Sequence, residues 1–90
     1  MLDQYSAVKA YQRRWRTKEG EYAFGSVEEL IKFTASQVLD CTMTYKKIAE
    51  AAGCSTSTVS NLAKGETRFP RAATVFEILR VIGFSVVIRR

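Results

Sequence analysis

The spacing of apolar side chains along the chain predicts a series of short helices. The first clear one follows Ser26-Val27-Glu28-Glu29, a pattern typical of a capping box. We expect the Ser26 hydroxyl to accept from the Glu29 amide, and the Glu29 carboxylate to accept from the Ser26 amide. Apolar residues then recur every three or four positions, so a helix to about Asp40–Cys41 is predicted. Its stripe consists of Val27, Leu30, Ile31, Thr34, Ala35 and Val38.

Two shorter helices are predicted next, with a glycine between them. Thr44 is a suitable N-cap for a helix through Ala51, and Gly53 suits the left-handed position that ends such a helix. Ser55 is placed to cap a second short helix to about Ala63, before Gly65. Two short helices joined by a few residues around a glycine form a helix-turn-helix unit.

The C-terminal part carries one more helical pattern and a β-like run. Pro70 precedes a helix that Gly83 ends, and its stripe consists of Val75, Phe76, Leu79 and Ile82. Residues 84–88 are rich in β-branched side chains and predict a short strand. A lone strand has unpaired edges, so this one needs a partner strand.

The N-terminal part, residues 1–25, is predicted to be an extension made of one helix and a loop. Asp3 could cap a helix to about Arg16, and the glycines within residues 17–25 interrupt the periodicity. The cluster Arg13-Arg14-Trp15-Arg16 has two interpretations. It is either a second nucleic-acid contact or, more simply, a basic solvated face beside a tryptophan in the core.

Composition narrows the chemistry of the chain. With 90 residues, two cysteines and no histidine, it lacks the ligands for a structural zinc site and the partners for a Ser-His or Cys-His pair. We therefore expect no catalytic residues, no metal and no cofactor. Because no long apolar run or signal-peptide pattern is present, we expect a cytoplasmic protein that does not enter a membrane.

The positive charge is concentrated toward the C-terminus. The formal net charge is +5, and residues 53–90 carry six basic and two acidic side chains. A basic surface attracts polyanions such as nucleic acid, although many basic proteins bind none.

The segment from Tyr45 to Lys64 resembles the helix-turn-helix signature of the lambda-repressor-like family (Cro/repressor, or XRE type). That signature asks for a small residue, a glycine and five apolar residues at set positions. Here they are Ala49, Gly53, and then Ile48, Ala52, Cys54, Val59 and Leu62. The likeness extends over residues 27–83. It implies an all-α helix-turn-helix bundle over residues 26–83 that binds double-stranded DNA and regulates transcription.

The resemblance also implies roles for particular residues. Base contacts would come from the free face of the second motif helix, namely Thr56, Ser57, Ser60 and Asn61, with Thr58 nearer its boundary. Phosphate contacts would come from Thr44, Tyr45, Lys64, Thr67, Arg68 and Arg71. The family often has glutamine where this chain has Tyr45, Thr56 and Ser57. For Arg68 and Arg71 the simpler interpretation is surface charge paired with Glu66 or Glu77.

The final strand, in residues 84–90, looks like one that antitoxin-type members of the family pair across a dimer. Pairing two copies would bury Phe84, Val86 and Ile88 and remove the free edge. We therefore expect a homodimeric repressor on a palindromic operator. The alternative is an antitoxin-like or other protein-binding module whose main role is to contact a toxin or another protein partner.

Overall fold

The computed structural model describes residues 15–18, 20–66 and 70–87 of the chain. These residues form a mostly helical structure with a small two-stranded antiparallel sheet. In chain order the elements are β1 (Arg16–Lys18), β2 (Glu21–Tyr22), α1 (Val27–Asp40), α2 (Tyr45–Ala52), α3 (Thr56–Ala63) and α4 (Ala72–Val81). The helical character was predicted, whereas the sheet was not. None of the helices described is long and apolar enough to cross a membrane.

The N-terminus of α1 differs in one bond from the predicted capping box. The Ser26 hydroxyl accepts from the Glu29 amide at 3.2 Å, as expected. The Glu29 carboxylate, however, accepts from the Gly25 amide at 2.8 Å rather than from Ser26. A Cβ at Gly25 would lie 3.3 Å from that carboxylate oxygen, so the absent side chain leaves room for the bond.

The buried face of α1 was predicted only in part. Thr34 and Val38 are buried, as the stripe required, but Val27 is 71% exposed. Val27 opens the first turn of the helix. Phe33 was not placed on the stripe, yet it is buried at the centre of a group of aromatic rings. The inner face of α1 is therefore wider than the predicted stripe and includes Phe33.

The caps of α2 and α3 confirm the predicted boundaries to within one residue. The Thr44 hydroxyl accepts from the Lys47 amide at 3.2 Å, and the Ser55 hydroxyl accepts from the Thr58 amide at 3.1 Å. Between the helices, Gly53 adopts φ +75°, and the Cys54 amide donates to the Ala49 carbonyl at 3.0 Å. The left-handed glycine thus reverses the chain within a few residues.

Helix α4 lies where it was predicted, but it presents a different stripe. Val75, Ile78 and Leu79 are buried, while Phe76, which was predicted to face the core, is 42% exposed. Positions 75, 78, 79 and 82 follow the spacing of one helical face, and position 76 lies beside that face. The prediction for Phe76 is therefore wrong, and Ile78 takes its place.

The end of α4 turns the chain back toward its own core. The Gly83 amide donates to the Arg80 carbonyl at 3.2 Å, and the Phe84 amide donates to the Leu79 carbonyl at 2.9 Å. These two bonds define a Schellman motif, in which the residue after the glycine contacts the last helical turn. Residues 84–87 carry no strand in the described chain, and Ile88 lies outside the described residues. Over residues 84–87 the predicted strand is thus not formed.

A β-hairpin stands where residues 17–25 were predicted to be a loop. Arg16 pairs with Tyr22 and Lys18 pairs with Glu21, and Gly20 lies in the turn at φ +78°. The glycine that was taken as a sign of an irregular loop is instead the turn residue of a hairpin. Trp15 is helical and Arg16 begins β1, so the helix predicted to about Arg16 ends one residue earlier. The rest of that helix, residues 3–14, lies outside the described residues.

Two hydrophobic clusters fill the interior. The aliphatic cluster draws on all four helices and comprises Val38, Ile48, Ala49, Val59, Leu62, Ala63 and Ile78. The aromatic cluster lies between α1, α4 and the hairpin, and comprises Trp15, Phe33, Val75 and Leu79 with Tyr22, Phe24 and Phe84 packed against them. Helix α3 contributes buried residues only to the aliphatic cluster, so its outer face lies over that part of the core.

Candidate nucleic-acid interface

Helix α3 is anchored by one face and leaves the other open. Val59 and Leu62 are 0% and 2% exposed and hold the helix against the aliphatic cluster. Of the residues predicted to contact bases, Thr56, Ser57 and Asn61 are exposed, and Ser60 is half-buried. The structure therefore brings the predicted residues together on one helix, with Ser60 at the margin of the open face.

The hydroxyls of α3 divide into two groups. Ser55 and Thr58 are engaged locally, because their hydroxyl oxygens lie 2.8 Å apart and Ser55 also caps the helix. The side chains of Thr56, Ser57 and Asn61 form no hydrogen bond with any other described residue. Their donors and acceptors face solvent and can bind an external ligand without breaking an internal bond.

The open face of α3 carries no charge of its own. The helix sequence, from Thr56 to Ala63, contains neither acidic nor basic residues. Ser57, Asn61 and Lys64 are separated by four and three positions, and all three are exposed. Such spacing places them along one side of the helix, so an uncharged polar stripe ends in a lysine.

The residues predicted to contact phosphate occupy different environments. Thr44, Lys64 and Arg71 are exposed, and Thr44 and Arg71 are the N-cap residues of α2 and α4. Tyr45 is half-buried and packs against the aliphatic cluster. Thr67 and Arg68 lie outside the described residues.

Lys46 and Lys47 were not among the predicted contacts. Both are exposed in the first turn of α2, directly after Thr44 and Tyr45. The signal was available in the sequence, since two lysines follow the predicted contacts without interruption. They add two positive charges at the helix end that precedes α3 in the chain.

The described cations differ in whether they form ion pairs, and Arg16 on the hairpin, like the cations near the motif helices, forms none with a described residue. Lys18, Lys32 and Arg80 pair with Glu21, Glu28 and Glu77 at 3.5, 3.2 and 2.7 Å. By contrast, Lys46, Lys47, Lys64 and Arg71 form no ion pair with any described residue. The simpler interpretation of Arg71, pairing with Glu66 or Glu77, is not what the structure shows: Arg71 pairs with neither, and Glu77 accepts from two guanidinium nitrogens of Arg80.

The residues predicted to form the dimer contact lie in different environments. Phe84 is half-buried and stacks near Tyr22 and Phe33, with ring centroids 6.0 and 5.4 Å away. Val86 is 53% exposed, and the neighbouring Val87 is 70% exposed. Phe84 is thus occupied in its own copy, whereas the two valines are available at the surface.

A groove of about 930 Å³ lies between the hairpin, α4 and the C-terminal segment. Apolar residues dominate its lining, among them Phe24, Phe76, Leu79, Val86 and Val87. It borders the aromatic cluster and includes no residue of α2 or α3. The groove and the open face of α3 are therefore separate surfaces.

Two further groups have structural roles. In the cluster of residues 13–16, Trp15 is buried in the aromatic cluster and Arg16 is exposed, while Arg13 and Arg14 lie outside the described residues. Burial raises the pKa of the Cys54 thiol above its ordinary value. Cys54 therefore stays a protonated, weakly reactive thiol at neutral pH, in keeping with its apolar position in the predicted motif.

Comparisons with protein-family models, with curated proteins and with solved structures give no match to this chain. Its function must therefore be inferred from its own residues.

Proposed function

We propose that the chain is a sequence-specific DNA-binding regulator of transcription, in which α2 and α3 form a helix-turn-helix and α3 enters the major groove. The observation that carries this proposal is the arrangement around α3. Helix α3 exposes an uncharged face of hydrogen-bonding side chains and ends at the exposed Lys64. Lys46 and Lys47 lie in the first turn of α2 and Arg71 is the N-cap of α4, and none of these four cations is ion-paired with a described residue. In protein–DNA complexes, base edges are recognised by such polar side chains and phosphates are held by such cations.

The charges at the N-terminal ends of the helices are consistent with α2 and α3 facing DNA. The first turn of α1 contains Glu28 and Glu29, whereas the first turns of α2 and α3 contain no acidic residue. The N-terminal end of a helix carries partial positive charge and attracts phosphate. A carboxylate there would repel the DNA backbone. Helices α2 and α3 lack one, and so does α4, whose N-cap Arg71 is among the proposed phosphate contacts.

The proposal extends to a homodimeric, cytoplasmic repressor on a palindromic operator. Val86 and Val87 are exposed apolar side chains beyond the last helix, where pairing with a second copy would bury them. Because Phe84 packs inside its own copy, the dimer contact would rest on Val86, Val87 and the residues after them. Half-sites would then lie about one helical turn apart.

A second candidate function rests on the apolar groove. A groove bordered by Phe76, Val86 and Val87 is a surface of the kind that binds protein partners. It favours the antitoxin-like alternative, in which a toxin or another protein is the main partner. Since the groove and α3 are separate surfaces, one chain could carry both functions.

Fluorescence anisotropy with labelled duplex DNA tests the main proposal. The DNA would come from upstream of the gene that encodes the chain, with a random duplex as control, at about 50 and 200 mM salt. We expect Lys64→Gln to weaken binding to both duplexes and to reduce the salt slope by about 1, as loss of one phosphate contact requires. Lys32→Gln is the matched control, because Lys32 is ion-paired on α1. Absence of binding to either duplex, or equal effects of the two variants, contradicts the proposal.

A further inference from the structure

The side chains that α3 exposes limit the bases that it can recognise. The commonest specific contact to guanine is made by arginine or lysine, and cytosine is contacted by a carboxylate. Helix α3 has none of these residue types between Thr56 and Ala63. Asparagine, by contrast, forms two hydrogen bonds with the N6 and N7 atoms of adenine. Asn61 is the one amide on this helix.

The backbone of Asn61 is fixed while its side chain is free. The Glu66 amide donates to the Asn61 carbonyl at 2.9 Å, and the Gly65 amide donates to the Leu62 carbonyl at 3.1 Å. With Gly65 at φ +75°, these bonds form a Schellman motif that closes the helix. The Asn61 amide group is exposed and has no hydrogen bond to a described residue. A fixed backbone with a free amide suits the geometric demands of a two-bond contact.

The neighbours of Asn61 are less selective. Ser57 lies one turn earlier on the same side, and its hydroxyl can donate to or accept from several bases. Ser60 is half-buried, which limits its reach. Lys64 follows at the last turn, where α3 ends and the chain turns away. Among the residues of α3, Asn61 is therefore the one best suited to distinguish one DNA base from the others.

We infer that Asn61 is the specificity-determining residue of α3, and that it contacts an adenine through N6 and N7 in each half-site. The inference rests on the proposed function. It adds a defined operator feature, namely one strongly specified A·T pair per half-site, flanked by positions at which Ser57 and Thr56 tolerate several bases. Lys64 contributes affinity at a phosphate and no base preference.

Selection from a random-sequence duplex library, with the full chain, tests this inference. Wild type should enrich one A·T pair per half-site above all other positions bound by α3. Asn61→Ala should bind DNA but lose the preference at that pair, by roughly tenfold to a hundredfold relative to the other base pairs. Ser57→Ala and Lys64→Gln are the controls, and both should retain it. Circular dichroism checks that each variant is folded.

A modified base makes the test specific for the two-bond contact. In the selected duplex, 7-deazaadenine at the specified position removes the N7 acceptor while leaving base pairing intact. It should weaken binding of wild type severalfold or more and leave binding of Asn61→Ala unchanged. Equal losses in both proteins would overturn the inference, because the effect would then not depend on Asn61.

The outcomes distinguish this inference from the proposed function. If wild type selects a G·C pair at the position lost in Asn61→Ala, or if Asn61→Ala keeps the adenine, the adenine assignment is wrong while DNA binding stands. If Lys64→Gln removes the preference instead, Lys64 determines specificity and the inference is overturned. If wild type enriches no sequence and binds no DNA, the proposed function fails and the inference fails with it.

Discussion

The two clusters of the core support surfaces of opposite character. Over the aliphatic cluster, α3 exposes small polar side chains, and Lys64, which follows its last turn, is not paired with a described residue. Over the aromatic cluster, α4 exposes Phe76 and the C-terminal segment exposes Val86 and Val87, all three beside a groove. The polar surface suits DNA and the apolar surface suits a protein chain. The proposed DNA-binding function rests on the first surface and the protein-binding alternative rests on the second, so the two proposals can be tested separately.

The two regions also differ in how they are held. Helices α2 and α3 are fixed by bonds between near neighbours, such as the caps at Thr44 and Ser55 and the turn at Gly53. The aromatic region joins segments that are far apart in sequence, since Trp15, Phe33 and Phe84 pack in one group. Both regions also use the other kind of contact, since Val59 and Leu62 are buried in the aliphatic cluster and a Schellman motif places Phe84.

The largest expected effect comes from removing the ring at the centre of the aromatic region. Phe33 is 2% exposed and lies 4.7 to 5.9 Å, between ring centroids, from four other rings. Phe33→Ala should lower the free energy of unfolding by about 3–5 kcal/mol, measured by urea denaturation. Phe76→Ala is the control, and its effect should be much smaller because that ring is 42% exposed. Similar losses in the two variants would show that Phe33 is not the centre of the cluster.

A smaller effect is expected at the turn between α2 and α3. Gly53 has φ +75°, and a Cβ added there would meet nothing within 4 Å, so the cost of a side chain is conformational and not steric. Gly53→Ala should destabilise the fold by about 1–2 kcal/mol, as measured by thermal or urea unfolding. Gly53→Asn should recover part of that loss, since asparagine tolerates the left-handed region. Equal destabilisation by the two substitutions would mean that strain in φ is not the cause.

The smallest effect on stability is expected for the double variant in which Val86 and Val87 are both replaced by serine. This variant also tests the apolar surface most directly. Both residues are exposed, so at a concentration where the chain is monomeric the double variant should unfold within about 0.5 kcal/mol of wild type. Analytical ultracentrifugation at micromolar concentration should show a dimer for wild type and a monomer for the variant. A monomeric wild type would contradict dimerisation through this segment.

The sequence predicted the two regions to different degrees. The caps, glycines and buried residues of α2 and α3 were identified because each acts over three or four positions, and a local pattern records such interactions. The hairpin is local, but it was missed because Gly20 was taken as a sign of an irregular loop and not as a turn residue. The burial of Phe33 was missed because its ring partners lie on segments far apart in sequence. Phe84 is an example of a prediction that local sequence alone did not give correctly. Its β-branched neighbours favoured a strand, but the Schellman motif after α4 places Phe84 against the aromatic cluster.

The candidate site was predicted in the same uneven way. The exposed face of α3 follows from helical spacing once Val59 and Leu62 are assigned to the core. Whether a cation is paired or free does not follow from spacing alone. Arg71 could have paired with Glu77, but Arg80 lies one turn from that carboxylate and binds it instead. Pairing depends on the three-dimensional arrangement, and the sequence left both possibilities open.

The most direct test of the central claim is an NMR titration of the ¹⁵N-labelled full chain with the DNA duplex that it binds best. The account predicts amide shift changes at Thr56, Ser57 and Asn61 and in the first turn of α2, while Tyr22, Phe76 and Val87 stay unchanged except where dimerisation reaches them. Lys32→Gln, on the exposed face of α1, should not alter this map. Changes confined to the groove, with α3 unaffected at saturating DNA, would contradict the assignment of α3 as the DNA-binding face.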